Sequence, residues 1–259
     1  MPPILETEGL TRIFGALTAA SEITVRVEEG TIVGLIGGNG AGKTTFLNLV
    51  TGYLAPTSGA IRYGGRSIVG LSPREVTRLG ICRSFQIPQL FDSLSAYDNL
   101  LIGLGIAALA KRAFAGTVLD GRTPDAAAEE MLQRFRLGPY RSAAASTLPE
   151  GVRKLLDIAM ALAVKPRLLL LDEPTSGVSA EEKFGLMELV LGALRSERVT
   201  VLFVEHDMEI VRRYAQRVIA FYDGRTIADG TPGEVLDDPG VRKYVVGEAP
   251  PVTVQETVC

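Results

Sequence analysis

A chain of 259 residues with a formal net charge of -3 is long enough to bury one large core, or a core with a subdomain, and that balance argues against a surface built broadly to neutralise nucleic-acid phosphates. Apolar residues at 46% and charged residues at 22% exclude a disordered chain. Cys82 and Cys259 lack metal-ligand spacing and read as reduced thiols rather than a disulfide framework.

The first ten residues, MPPILETEGL, carry no basic stretch followed by an apolar core, so no secretory signal is expected and the protein should stay in the cytosol. Short strands are predicted at Ile4–Gly9, Ile23–Val27 and Ile32–Ile36, the last running into a glycine cluster. After Gly42, the residues Phe46, Leu47, Leu49 and Val50 fall on helical spacing, and Gly52 supplies a stop. From about 92 to 165 the pattern becomes helical, Ala-rich at Asp125–Phe135 and punctuated at Gly116, Gly121, Pro124, Gly138 and Pro139, which reads as an inserted helical subdomain. Its longest apolar run, Leu100–Ala110, is broken by Gly103 and Gly105 and is shorter than the ~20 residues of a spanning helix, so membrane association must come through partners. Strand-like runs return at Leu168–Leu171, Val199–Val204 and Val218–Tyr222, separated by a helical stretch at Ala180–Arg195 and a shorter one after Asp207. Their near-continuous apolar character is that of buried parallel strands. One domain over residues 1–248, with a loosely ordered tail at 249–259, is the expected organisation.

The segment Gly37-Gly38-Asn39-Gly40-Ala41-Gly42-Lys43-Thr44 fits G-x-x-x-x-G-K-[ST] and lies between a predicted strand and a predicted helix. Glycines let successive backbone N–H groups face phosphate oxygens, and the helix that follows adds its positive end. Lys43 is expected to reach the β and γ phosphates, Thr44 to ligate Mg2+, and Thr45 to donate to a phosphate nearer the nucleoside. A dinucleotide-type glycine turn would have no need of Lys43-Thr44.

Asp172-Glu173-Pro174 follows four leucines, at the end of a predicted buried strand, where open α/β sheets bind ligands. Asp172 is assigned to the Mg2+ shell, and Glu173 to the water that attacks the γ phosphate. The only histidine, His206, also stands at a strand end, within reach of a γ phosphate.

With these residues in this order, the chain resembles the ATP-binding subunits of ABC transporters over nearly its whole length. Val204–Met208, Tyr222–Arg225 and Ala228–Pro232 are most similar to the branched-chain amino acid importer branch. The resemblance implies an α/β P-loop NTPase of the ABC ATPase type, with a mixed core sheet, an N-terminal antiparallel β portion and an inserted helical subdomain. It further implies ATP and Mg2+ as cofactors, and Gln86, in Arg83-Ser84-Phe85-Gln86, as the residue that links the metal site to transmembrane subunits and takes part in catalysis. Phe14 corresponds to the aromatic that stacks on adenine, although a lone Phe also fits ordinary packing. The implied partners are transmembrane permease subunits, a second ATPase subunit and an extracytoplasmic binding protein acting through the permeases, with no nucleic acid. The implied location is peripheral, on the cytoplasmic face of the cell (inner) membrane.

Family members pair so that each nucleotide is sandwiched between one subunit's phosphate loop and its partner's signature, usually L-S-G-G-Q. Here the corresponding stretch is Leu148-Pro149-Glu150-Gly151-Val152. The serine hydroxyl is missing, Pro149 suits the first turn of a helix that begins after Gly151, and Glu150 is expected to point away from phosphate. In Ser176-Gly177-Val178-Ser179 a Ser ends a loop that usually ends in Asp, and Gly38 stands where Pro is frequent. These departures favour pairing with a different ATPase subunit, a homodimer being the alternative. The expected function is the ATP-hydrolysing motor of an importer of branched-chain or other amino acids or small amides. Two other readings share the motifs: the ATPase of a lipid or lipopolysaccharide exporter, and a soluble nucleotide-driven switch, for which the chain has no sustained heptads and no concentrated basic tract.

Overall fold

The computed structural model describes residues 3–112, 123–195 and 198–247. In chain order, β1 (Leu5–Phe14) and β2 (Leu17–Val27) form a hairpin, and β3 (Ile32–Gly37) runs into α1 (Lys43–Val50). Next come β4 (Ser58–Tyr63), β5 (Arg66–Ser67), α2 (Pro73–Leu79) and β6 (Ile81–Ser84). Three long helices, α3 (Ala96–Arg112), α4 (Pro124–Arg134) and α5 (Glu150–Ala163), precede β7 (Leu168–Asp172). The chain continues through α6 (Ala180–Arg195), β8 (Thr200–Val204), α7 (Met208–Tyr214), β9 (Arg217–Tyr222), β10 (Arg225–Gly230) and α8 (Pro232–Leu236).

An antiparallel sheet of order β2-β1-β4-β5 lies beside a second sheet of order β10-β9-β3-β8-β7-β6. In the second, β9, β3, β8, β7 and β6 are parallel, and only β10 is antiparallel. The expected mixed core sheet with an N-terminal antiparallel portion is thus the observed architecture.

The strands β3, β7 and β8 are buried at every position, because both faces of the sheet are covered. Alternation along them feeds two cores. Val33, Leu35, Leu168, Leu170, Leu202 and Val204 pack with Phe46, Leu47 and Val50 of α1 and with the antiparallel sheet. Ile32, Ile36, Leu169, Leu171, Val201 and Phe203 face the opposite core, with α3, α4, α5 and α6.

Glycines account for one boundary that differs from expectation. The strand predicted to end at Gly9 continues to Phe14, because Gly9, at φ 55, accommodates a register shift between Thr7 and Leu10. Its carbonyl lies so near Gly59 that a Cβ there would come within 2.4 Å. The helices at 180–195 and after Asp207 lie where the sequence puts them. Between 92 and 165 the described residues are largely helical, α3 packing on both α4 and α5. Gly116, Gly121 and the tail at 249–259 lie outside the described residues. No helix among the described residues is long and apolar enough to cross a membrane.

Candidate functional site

The phosphate loop leaves β3 at Gly37 and enters α1 at Lys43. Gly42 is the N-cap residue of α1, with φ 102, and a Cβ there would lie 2.8 Å from the Ala19 carbonyl oxygen, so only glycine fits. Gly224 N–H donates to Ala41 O at 3.1 Å and Ser21 N–H to Gly224 O at 2.8 Å, which fastens the loop to both the β9–β10 turn and the N-terminal hairpin. Gly38 is half-buried, Asn39 and Gly40 are exposed, and Thr44 and Thr45 sit in the first turn of α1, Thr44 exposed. Lys43 is buried, and its Nζ donates to Gly37 O at 2.6 Å and Gly38 O at 3.0 Å. Burial pushes its ammonium below the usual lysine range, while the charges of Glu173 and Asp172 pull it back up.

Asp172 ends β7 and is 6% exposed. Its Oδ2 accepts from an Arg83 nitrogen at 2.5 Å, and Arg83 also donates to Asn48 Oδ1 of α1 at 2.6 Å. Glu173 follows in a left-handed conformation, φ 51, with its N–H donating to Val204 O at 3.0 Å. That geometry turns its side chain off the end of the sheet. Gln86 Nε2 donates to Glu173 Oε2 at 2.8 Å, and His206 Nε2 lies 3.0 Å from Glu173 Oε1. A carboxylate can only accept, so the imidazole carries its hydrogen on Nε2. Three residues singled out in sequence from three separate strand ends therefore meet on one carboxylate.

Phe14 ends β1 with its ring 42% exposed, and the Arg12 guanidinium lies 4.4 Å from its centroid. It is not a core residue.

The signature stretch differs from expectation in one respect. The helix α5 begins at Glu150, not after Gly151, and Pro149 is its N-cap (φ -55, ψ 150) rather than part of its first turn. With φ already fixed and no N–H, proline suits the residue just outside a helix as well as N1. Leu148 is buried, Pro149 and Glu150 are exposed, and Gly151 and Val152 are half-buried. The stretch lies beside Gly177 and Val178. No hydrogen bond among the described residues joins it to the phosphate loop.

Four further charged residues support the site without having been singled out. Arg83 grips Asp172. Glu205, 3% exposed, accepts Thr175 N–H at 2.9 Å, the Thr175 hydroxyl at 2.7 Å and His206 N–H at 3.2 Å, which locks the turn after Pro174 to the histidine's backbone. Lys154 and Asp157 lie on the buried face of α5, and Lys154 Nζ donates to Glu173 O at 2.8 Å. The available signal was a pair of charges three apart in an otherwise apolar helical face, since such groups are rarely buried without partners.

Residues 20–176 match the family described as ABC transporter. A branched-chain amino acid transport ATP-binding protein, BraF of Pseudomonas aeruginosa, is 39% identical, the match covering 95% of this chain and 99% of that one. LivG of Salmonella typhimurium, described in the same terms, is 34% identical over 95% of this chain and 99% of its own. Among solved structures, the ADP conformation of MJ1267, an ATP-binding cassette of an ABC transporter, superposes with a TM-score of 0.82 at 29% identity, covering 96% of this chain and 100% of that one. On its motifs, its two-sheet fold and these likenesses, the chain belongs to the ABC transporter family, as one of its ATP-binding subunits.

Proposed function

We propose that this chain is the ATP-hydrolysing motor of an importer of branched-chain or other amino acids or small amides, acting at the cytoplasmic face of the membrane. The observation that carries the chemistry is the convergence of Gln86 and His206 on the two oxygens of Glu173. A carboxylate held from both sides is oriented for one task, accepting a proton from, or aligning, the water that attacks the γ phosphate. Lys43 answers the β and γ phosphates, the N–H groups from Gly38 to Thr45 cradle the chain of phosphates, and His206 offers a polar contact to the terminal one. Phe14 presents an exposed ring to the adenine.

The residues for the metal are Thr44, Asp172 and Gln86. A hydroxyl, a carboxylate and an amide form an oxygen-rich set that suits Mg2+. Among the described residues no group of three or more His, Cys, Asp or Glu could hold a metal ion. A Mg2+ ion held by these three residues would supply charge neutralisation on the phosphates.

The substrate class rests on the names of BraF and LivG, both branched-chain amino acid transport ATP-binding proteins. In this reading residues 1–248 form the ATPase domain, the helical segment at about 92–165 carries the signature, and Gln86 passes the motion of the closing pair to permease subunits. An extracytoplasmic binding protein delivers substrate to those permeases. The altered Leu148–Val152 favours a second, different ATPase subunit as the pairing partner. Purification of the tagged chain from gently solubilised membranes tests this: two permeases and a distinct ATPase should accompany it. Recovery without any membrane protein would overturn the transport reading.

A further inference from the structure

The helix α5 carries two charged side chains that the hydrolytic chemistry does not use, Lys154 at 3% exposure and Asp157 at 7%. They are three residues apart and therefore on one face. Each has found specific partners in the same place. Asp157 Oδ2 accepts the Ser84 hydroxyl at 2.7 Å, and its Oδ1 accepts the Gln89 N–H at 3.0 Å. Ser84 is the last residue of β6, so these two bonds lie at the two ends of the short loop in which Gln86 stands. Lys154, one turn earlier, donates to Gln86 O at 3.4 Å and to Glu173 O at 2.8 Å. Within the loop Phe85 packs on Tyr53 and Pro88 is buried, but Gln86 is exposed and Ile87 is 74% exposed, so packing does not hold the Gln86 side chain itself.

We propose that Asp157 is a positioning residue for ATP hydrolysis: from the signature helix it pins both ends of the loop that carries Gln86, and so holds the Gln86 amide against Glu173. The proposal rests on Glu173 and Gln86 acting as described above. Burial pushes the Asp157 carboxyl up from the usual carboxylate range, while the bonds from Ser84, Gln89 and Phe85 and the charge of Lys154 pull it back. A carboxylate kept where desolvation opposes its charge is a cost to stability, offset here by the bonds it accepts from Ser84 and Gln89. Its placement is accounted for by what it holds.

The test is made on the transporter complex purified through a tag on this chain, in four forms: wild type, Asp157→Leu, Gln86→Ala and the double variant. Asp157→Leu, which leaves the Ser84 hydroxyl and the Gln89 N–H without their acceptor, is expected to melt somewhat below the wild type, to keep KM for ATP within about twofold, and to lose kcat by about 10- to 100-fold, the scale of a catalytic group displaced by about 1 Å. In the Gln86→Ala background it should cost little more, because both act through one amide. Asp157→Asn, which can still accept from Gln89 N–H and donate to the Ser84 hydroxyl, should recover most of the turnover. Should Asp157→Leu fail to fold, Ser84→Ala removes one pin without touching α5 and should lower kcat at unchanged KM. The proposal is overturned by wild-type kcat in Asp157→Leu or Ser84→Ala, by a loss that multiplies with that of Gln86→Ala, or by KM rising in step with the fall in kcat. A wild-type complex that does not turn over ATP removes the motor reading itself, and the positioning role with it.

Discussion

The phosphate loop and the signature stretch are both helix N-termini, yet the protein equips them in opposite ways. At α1 the N-cap is Gly42, no acid stands in the first turn, and Lys43 is buried against loop carbonyls. At α5 the N-cap is Pro149, its side chain makes no capping bond, and Glu150 stands in the first turn. Both helices aim a positive dipole end outward. Only the first adds a cation and backbone made supple by glycine, while the second adds a carboxylate that supports the helix and repels phosphate. A helix terminus therefore supplies direction, and the residues placed on it decide whether an anion is welcome.

The sharpest check on the strong end is Glu173→Gln, expected to retain ATP while kcat falls by about 10²–10⁴-fold, the range for loss of a general base. Unchanged turnover would remove Glu173 from catalysis. Phe14→Ala, read by nucleotide titration, should weaken ATP binding by about 1–3 kcal/mol, the contribution of one stacked base. An unchanged Kd would detach the adenine from the N-terminal hairpin. The weak end is tested by repair. Pro149→Ser combined with Glu150→Gly should raise complex turnover by about tenfold, the low end of what one charge-assisted hydrogen bond contributes. No gain at all would mean the two ends were already equivalent in use, and the argument for an unlike partner would lose its basis.

The smallest effect serves as a control that such variants keep the sheet closed. Burial pushes the Cys82 thiol up to about 12. In the folded chain it stays protonated well above the ordinary thiol range of about 8.5, while in the unfolded chain it ionises there. The folded state then holds the proton more tightly, so this group's contribution makes stability fall as pH rises from about 8.5 toward about 12. In a Cys259→Ser background, native protein at pH 8 should resist iodoacetamide and react once urea unfolds it. Rapid native labelling would show β6 opening.

The elements legible in sequence were those whose residues carry their own pattern. Leu168–Leu171 and Ile32–Ile36 are apolar at successive positions because both faces are covered, and Ala180–Arg195 has helical spacing over four turns. The short pieces around them were not read. The two-residue strand β5 has only exposed residues, and α2 buries only Val76, so neither shows periodicity. The same division holds at the site. Glu173, His206 and the loop were found because local spacing marks them, and Gln86 because the family resemblance implies it. Arg83 against Asp172, Glu205 against Thr175, and Asp157 against Ser84 were not, because each bond joins residues far apart in the chain. Which buried charge answers which is a property of the folded sheet order.

That sheet order also bears on how the protein is made. The strand that launches the phosphate loop, IVGLIG, has both its neighbours, β8 and β9, in the last quarter of the chain: Ile32 pairs with Val201, and Val33 with Arg217. At elongation rates of about 5–20 residues/s, this strand waits on the order of 10–30 s on the ribosome before either edge can be covered. During that interval it is an apolar strand with two unpaired edges, the kind of segment that seeds aggregation or recruits a chaperone. Glu173 cannot meet His206 until both have emerged, so the contact between them is completed only in the last quarter of synthesis.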